Sequence, residues 1–239
     1  METTRRLRQG QLKLLALMSF ITDLSEAFKD HSNAENAKAM QTYMKHFFPF
    51  FGIKADLRRS ICKNTVSSNL TEVKTNIESI TLALYRLNER EFHYCAMEHY
   101  AKFKKRYYRK EDIDLIKILI TTNSHWDTVD FIAKHILGNY LIEFPEQKDK
   151  TIQAFSNAKN MWLNRSTLLF QLSYKSKTDA DLLIKLCKKF RDSNEFFIQK
   201  AIGWALREYG KTNPEHVLQF VENTNLKPLS KREAIRRLI

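Results

Sequence analysis

The sequence predicts an all-α fold, and three features of the chain support this. Gly and Pro are scarce, at five and four among 239 residues, so the chain lacks material for the frequent tight turns of an all-β fold. Long runs rich in Leu, Ile, Ala, Lys and Glu favour helices. Apolar residues recur at helical spacing, and no convincing pair of strands is visible. The chain is 43% hydrophobic, which is ample for a large core.

Helical periodicity and end signals give a succession of helices joined by short connectors. The predicted helices span residues 10–29, 34–48, 55–66, 70–86, 89–106, 111–122, 125–137, 146–157, 161–174, 179–191, 194–209, 214–223 and 230–238. We predict a single domain over residues 1–239, in which residues 1–17 are a basic extension of the first helix. Lys13 interrupts the first apolar run and no small-residue cleavage site follows, so a signal peptide is not predicted. No apolar run is long enough to span a bilayer.

A faint internal repeat predicts how these helices stack. Three segments can be overlaid on the small residues Cys95, Ser166 and Ala201, which lie about two periods and then one period of 35 residues apart. A period near 35 residues is typical of antiparallel helix pairs stacked into an α-solenoid.

The same period places three charged residues at equivalent positions of successive pairs. Asp130, Arg165 and Lys200 are each separated by one period, so we expect them to project onto one surface. If they lie on the second helix of each pair, that surface is the concave one.

The charge of the chain predicts a polyanionic partner. The formal net charge is +13, and nucleic acid is the first candidate for such an excess. Cys62, Cys95 and Cys187 are far apart in sequence and form no C-x-x-C pair, so neither a disulfide nor a zinc site is predicted. The histidines lack the spacing of metal ligands, and no Gly-rich loop is present to hold a nucleotide phosphate. We therefore expect no metal, no cofactor and a reduced, cytoplasmic location.

The helix predicted between Ser193 and Pro214 carries two different faces. Ser193 or Asn194 is suited to its N-cap, and Gly210 followed by Pro214 predicts its end. One face is an apolar stripe of Ile198, Ile202, Ala205 and Tyr209. The face beside it mixes aromatic and cationic side chains: Phe197, Lys200, Trp204 and Arg207. Either the aromatic residues widen the core stripe with cations at its rim, or this face binds a ligand.

The helix that begins near Ser124 contains two carboxylates with different predicted roles. Ser124 and Asp127 have the spacing of a capping box, which assigns Asp127 to the helix N-terminus. Asp130 lies four residues after Trp126, so its carboxylate and the indole share a helix face. A carboxylate there is costly to bury without a partner. Arg165 is the predicted partner, and such a pair is compatible with either a structural or a functional role.

Several segments resemble the AlkD-type family of DNA glycosylases, which are built from HEAT-like helical repeats and remove alkylated purines. The resemblance extends from Met18 almost to the end of the chain. Its motifs are Y-M-K-H-F-F-P-F-F-G-I at 43–53, L-N-E-R-E-F at 87–92, W-D-T-V-D at 126–130, M-W-L-N-R at 161–165, E-F-F-I-Q-K-A-I-G-W-A-L-R-E-Y at 195–209 and P-L-S-K-R-E-A-I at 228–235. The resemblance implies a right-handed solenoid of HEAT-like repeats with a basic concave face. It also implies a monofunctional enzyme that hydrolyses the N-glycosidic bond of N7-alkylguanine or N3-alkyladenine in duplex DNA without flipping the base.

The resemblance also implies roles for individual residues. Asp130 is the catalytic carboxylate, Trp126 and Trp204 flank the deoxyribose of the lesion, and Arg165 lies beside them. The implied DNA contacts are Tyr43, Lys54, Arg58, Arg59, Phe197, Lys200, Arg207, Lys231 and Arg232. Double-stranded DNA containing alkylated purines is the implied partner of a monomer, with no metal and no membrane.

Two residues depart from the family pattern, and two other functions stay open at this point. His125 stands where the family often has a second Trp, and Lys54 stands where an uncharged polar residue is common. A helical-repeat protein that binds damaged or branched DNA without chemistry is the first alternative. A protein-interaction solenoid is the second. The presence of Asp130 with both tryptophans favours the enzyme.

Overall fold

The computed structural model describes residues 19–236, and every regular element in this range is helical, which confirms the all-α prediction. The chain divides into two compact units, of which the first ends at Lys104 and the second begins at Lys105. The predicted helix start at residue 10, the basic extension over residues 1–17 and the last residues of the final helix lie outside the described range. The single domain, the right-handed winding and the basic concave face stay predictions.

Between residues 19 and 104, the described part of the first unit, the chain forms five α-helices. They are α1 (Ser19–Asp30), α2 (Ala34–Tyr43), α3 (Ala55–Ser68), α4 (Leu70–Leu84) and α5 (Arg90–Lys104). Helices α1 and α3 pack together, as do α4 and α5. Aromatic rings form much of the core: Phe28 is fully buried and lies 5.3 Å from Phe92 and 5.7 Å from Phe51 between ring centroids.

The structure corrects the prediction that the chain has no disulfide. The sulfur atoms of Cys62 on α3 and Cys95 on α5 are joined at 1.98 Å, and both residues are buried. They are 33 residues apart, close to one helical repeat, so they occupy facing positions on neighbouring helices. Cys187 is a free, buried thiol.

Helix α2 ends earlier than predicted. It stops at Tyr43 instead of continuing to residue 48, because Lys45 and His46 adopt positive φ angles of 52° and 59°. These angles are incompatible with a right-handed helix. The chain then turns through Gly52, where an added Cβ would lie 2.1 Å from the Asn33 carbonyl oxygen.

A buried carboxylate fixes the loop that follows α2. Glu91 accepts hydrogen bonds from the backbone N–H groups of Phe51, Gly52 and Ile53 at 2.9 to 3.2 Å. Burial raises the pKa of Glu91, while these three backbone donors oppose that rise. The loop that carries Tyr43 at its start is therefore anchored to α5.

The described part of the second unit, residues 105–236, contains four helix pairs. Their first helices are α6 (Asp112–Thr121), α9 (Lys148–Ser156), α11 (Ala180–Phe190) and α13 (Pro214–Glu222). Their second helices begin with α7 (Trp126–Phe131), α10 (Met161–Leu169), α12 (Phe196–Gly210) and α14 (Pro228–Ile235). Helices α7, α10 and α12 start 35 residues apart, as the repeat predicted. Such pairs, recurring at one period, are the units of an α-solenoid.

Helix α7 does not end where the sequence predicted. It continues through a π-helical segment, Ile132–Leu137, into α8 (Gly138–Glu143). A π-helical insertion is uncommon and occurs often beside functional sites. Short 3₁₀ turns at Pro145–Gln147 and Lys175–Lys177 complete the unit.

A glycine allows the start of α8 to approach the C-terminal end of α10 closely. A Cβ added at Gly138 would lie 2.5 Å from the carbonyl oxygen of Phe170, so only Gly fits here without a shift. The hydroxyl of Tyr174 donates a 2.7 Å hydrogen bond to the Gly138 carbonyl oxygen. This hydrogen bond joins the first residue of α8 to the turn that follows α10.

The boundaries of α12 agree with the predicted end but not with the predicted start. The helix ends at Gly210, and Pro214 begins the next helix. Glu195 occupies the N-cap position, so the predicted caps Ser193 and Asn194 are wrong. The apolar stripe is confirmed, because Ile198, Ile202 and Ala205 are buried and Tyr209 is half-buried.

Candidate functional site

The site is built around the start of α7, where one predicted interaction is wrong. The predicted capping box requires Ser124 at the N-cap, but Ser124 lies one residue before that position, and its hydroxyl donates a 2.6 Å hydrogen bond back to the Ile120 carbonyl oxygen. His125 is the N-cap residue instead, and its extended backbone lets α7 begin at Trp126. Asp127 lies in the first turn, where its charge favours the helix N-terminus.

Asp130 and Arg165 form the predicted ion pair. The guanidinium of Arg165 donates from Nε to Oδ1 at 2.7 Å and from Nη2 to Oδ2 at 2.8 Å. This bidentate arrangement is the strongest geometry for an Arg–carboxylate pair. The remaining Nη1 of Arg165 donates to the backbone carbonyl oxygen of Phe197, so α7, α10 and α12 all meet at this guanidinium.

The side chain of Asp130 keeps a small open surface. Its side chain is 13% exposed, whereas that of Arg165 is 5% exposed. Each carboxylate oxygen has two lone-pair directions, and Arg165 uses one on each oxygen. Asp130 therefore has acceptor capacity left for a group that approaches from solvent.

Burial and Arg165 act in opposite directions on the pKa of Asp130. Removal from water raises its pKa above the ordinary value, and the hydrogen bonds and charge of Arg165 limit that rise. The negative charge of Asp127 adds a smaller contribution in the upward direction. Arg165 is thus the group that favours the ionised form of this buried carboxyl.

Four rings gather beside the ion pair. The ring of His125 lies 6.2 Å from that of Trp126, 5.8 Å from that of Trp162 and 5.6 Å from that of Phe197. Trp162 and Phe197 lie 5.1 Å apart. All four residues are half-buried, so they form an aromatic cluster that still reaches solvent.

Trp162 is the residue that our sequence analysis missed. It precedes Arg165 by three residues on α10, so it shares a helix face with the ion pair. That spacing was visible in the sequence. Trp162 contacts His125, which stands where the family often has a second Trp. The imidazole ring of His125 therefore supplies an aromatic ring at that position.

The cations predicted on α12 have a partner of their own. Lys200 Nζ and Arg207 Nη1 each lie 2.9 Å from a carboxylate oxygen of Glu233 on α14. Lys200 is therefore paired with Glu233, and the prediction that Asp130, Arg165 and Lys200 project onto one surface stays a prediction. Trp204 lies between the two cations along α12 and is half-buried.

The other residues implied as DNA contacts differ in exposure. Those with accessible side chains are Tyr43, Lys54, Arg59, Lys231 and Arg232. Arg58 is different, because it is only 4% exposed and donates two hydrogen bonds, at 2.8 and 3.0 Å, to Glu98. The buried guanidinium of Arg58 joins α3 to α5 within the first unit. Arg58 is therefore not part of the proposed DNA interface.

Two further observations concern metals and membranes. Among residues 19–236, no group of three or more His, Cys, Asp or Glu side chains is arranged to hold a metal ion. None of the helices in the same range has the length and hydropathy needed to cross a bilayer.

The fold and the site together define a helical-repeat protein with a buried carboxylate beside an aromatic cluster. The sequence profile of the DNA alkylation repair enzymes matches residues 24–238, so the chain belongs to that family. The chain is also similar to the solved structure of a predicted DNA alkylation repair enzyme from Enterococcus faecalis, with 35% sequence identity and a TM-score of 0.80. This similarity covers 87% of the present chain and 96% of the other. Comparison with curated protein sequences finds no significant match.

Proposed function

We propose that this DNA alkylation repair enzyme is a DNA glycosylase that removes cationic alkylated purines from duplex DNA. The observation that carries the proposal is the Asp130 carboxylate, which accepts hydrogen bonds from Nε and Nη2 of Arg165 and belongs to a side chain that is partly open to solvent beside the aromatic cluster. Net charge, family membership and the exposed cations on α14 support duplex DNA as the substrate.

The chemistry follows from the state of the leaving group. A purine alkylated at N7 or N3 carries a positive charge and departs as a neutral base without protonation, so no general acid is required. The C1′–N bond breaks, and positive charge develops on the sugar ring. A fixed carboxylate at this point stabilises that charge electrostatically. Asp130 fills this role because Arg165 keeps it oriented and favours its ionised form.

Water completes the reaction. Asp130 has acceptor positions that Arg165 does not use, and one of them holds a water molecule toward C1′. The new C1′–O bond replaces the C1′–N bond, and the water proton passes through the carboxylate to solvent. Trp126 and Trp204 supply aromatic faces, which attract the cationic sugar by cation–π interaction. Phe197, Lys200 and Arg207 on α12, with Lys231 and Arg232 on α14, contact the duplex.

A set of duplexes that differ only in the lesion tests this proposal. We expect release of N7-methylguanine and N3-methyladenine, including release of bulky N7 adducts, because selection depends on leaving-group charge and not on an enclosed base pocket. Uracil and 8-oxoguanine should stay in place, since these neutral bases need acid assistance. The measurement is free base at saturating enzyme. Efficient uracil release, or a sharp size limit among cationic adducts, would contradict the proposal.

The pH dependence of base release tests the role of Asp130. Activity requires the ionised carboxylate, so the rate is retained above the pKa of folded Asp130 and lost as pH falls through it. Because burial raises this pKa, the midpoint should lie above the ordinary value of 3.8. Asp127→Asn removes a negative charge that raises the pKa, so its midpoint should move to lower pH. Single-turnover rates between about pH 4 and 8 give both midpoints, and an unshifted profile in the variant counts against Asp130.

A further inference from the structure

Glu233 joins two cations of α12 to the last helix of the second unit. Its Oε1 accepts a hydrogen bond from Lys200 Nζ and its Oε2 accepts one from Arg207 Nη1, both at 2.9 Å. Arg207 Nη1 also donates a 2.8 Å hydrogen bond to the backbone carbonyl oxygen of Glu233. One carboxylate thus holds two long side chains that are seven residues apart on the same helix.

A glycine makes this contact possible. Gly203 lies between Lys200 and Arg207 on the same face of α12, and a Cβ at this position would be 2.4 Å from Glu233 Cβ. It would also lie 2.9 Å from the carbonyl oxygen of Ser230. The Ser230 hydroxyl fastens the same junction by donating to the Gln199 carbonyl oxygen at 3.1 Å. Helix α14 therefore docks so closely that Glu233 reaches between the cations.

The exposure of the three side chains is graded. Glu233 is 9% exposed, Arg207 22% and Lys200 37%. The carboxylate thus lies beneath the two cations, which keep donor groups toward solvent. The bonds from Lys200 and Arg207 lower the pKa of Glu233, so it is ionised at neutral pH and the three side chains carry a net charge of +1.

We propose that Glu233 is a positioning residue that holds Lys200 and Arg207 together as a binding site for one backbone phosphate of the DNA. This inference rests on the proposed DNA substrate. It adds Glu233, to which neither the sequence motifs nor the family assignment gives a role, to the residues that serve DNA binding. Two neighbouring cations without Glu233 repel each other, and each long side chain loses conformational freedom when it binds a phosphate. Glu233 removes the repulsion and orders both side chains before DNA arrives.

If Glu233 instead competes with the DNA phosphate, its removal should change DNA binding in the opposite direction. If the carboxylate merely competes with phosphate for the two cations, its removal adds a free positive charge to the interface. Binding to any duplex then becomes tighter and more sensitive to salt. If Glu233 positions the cations, its removal costs ordered contacts, and binding becomes weaker and less sensitive to salt.

Glu233→Gln tests the inference, because it removes the charge and keeps the size. We measure binding to an undamaged duplex over a range of salt concentrations. The affinity of the variant at 100 mM salt is expected to fall roughly tenfold. The plot of log K against log salt should become shallower, with a slope smaller in magnitude by about 1 to 2. Tighter binding with a steeper slope, or an unchanged slope, overturns the inference.

A background without the two cations separates positioning from a purely structural role. In Lys200→Met with Arg207→Met, the further change Glu233→Gln should no longer alter the salt slope, because the groups it acts through are gone. A slope that still changes in this background shows that Glu233 acts through something else, and the inference fails.

A second variant decides the question if Glu233→Gln does not fold. Glu233→Asp keeps the charge but is shorter by one methylene, so it is unable to reach both cations. We expect its salt slope to fall by about 1, whereas a wild-type slope in a folded Glu233→Asp protein overturns the inference. The proposed function is judged separately: wild-type enzyme that binds duplex but releases no base refutes the glycosylase and leaves these binding comparisons valid.

Discussion

Replacement of Asp130 by Asn is expected to slow release of N7-methylguanine by a few hundredfold. The reason is that Asn cannot supply the negative charge that opposes positive charge on the sugar. Loss of one electrostatic partner of a transition state costs about 3 to 4 kcal/mol in activation free energy. The variant keeps one carbonyl acceptor for Arg165, whose guanidinium is buried and bonded to Asp130 in the wild-type protein. Single-turnover rates at saturating enzyme isolate the chemical step from binding.

Asp127→Asn is the matched control for this experiment. It makes the same chemical change three residues earlier on the same helix, beside His125. We expect near-normal excision at neutral pH and an effect mainly on stability, since Asp127 is an acidic residue in the first turn of α7. Thermal unfolding of both variants shows whether each is folded at the assay temperature. A folded Asp130→Asn protein with wild-type rate would remove Asp130 from the chemistry.

Local sequence signals predicted the helices well because helix formation depends on periodicity and end residues. The predicted starts at residues 34, 55, 70, 161 and 214 coincide with observed helix starts. The failures occur where distant contacts override local preference. Lys45 and His46 have no intrinsic reason to adopt positive φ angles, yet Met44 packs into the core and the loop is tied to Glu91. The π-helical segment after α7 likewise has no marker in its residue types.

The candidate site was predictable in part, because the repeat period shows which positions of neighbouring helix pairs are equivalent. The repeat period brought Asp130 and Arg165 together, because equivalent positions of adjacent helix pairs lie side by side. The same reasoning missed Glu233, which lies 33 residues after Lys200, near one period, and looked like an ordinary charge in a basic segment. It also missed the facing positions of Cys62 and Cys95. Pairings of this kind depend on which faces meet, and a single sequence does not give that directly.

Arg58 shows the limit of assigning a role by resemblance alone. The resemblance includes Arg58 among the implied DNA contacts together with its neighbour Arg59. The structure separates the two, because Arg58 is buried against Glu98 while the side chain of Arg59 is 59% exposed. Adjacent residues on a helix point about 100° apart, so one cation of such a pair often turns inward. Exposure therefore decides which residue is available to a phosphate.

Duplex binding is expected to weaken about a thousandfold between 50 and 200 mM salt, if roughly six phosphates are neutralised. The formal charge of +13 supports an interface of this size. Binding of an undamaged duplex, followed by fluorescence anisotropy over that salt range, gives the slope directly.

Lys231→Gln should weaken binding and reduce the magnitude of the slope by about 1. The reason is that Lys231 is exposed on a second helix, the layer that carries Asp130, Lys200 and Arg207. Lys117→Gln is the matched control, since Lys117 is exposed on α6, the first helix of its pair. An affinity that is insensitive to salt, or equal losses in the two variants, would show that the second helices do not form the DNA-binding layer.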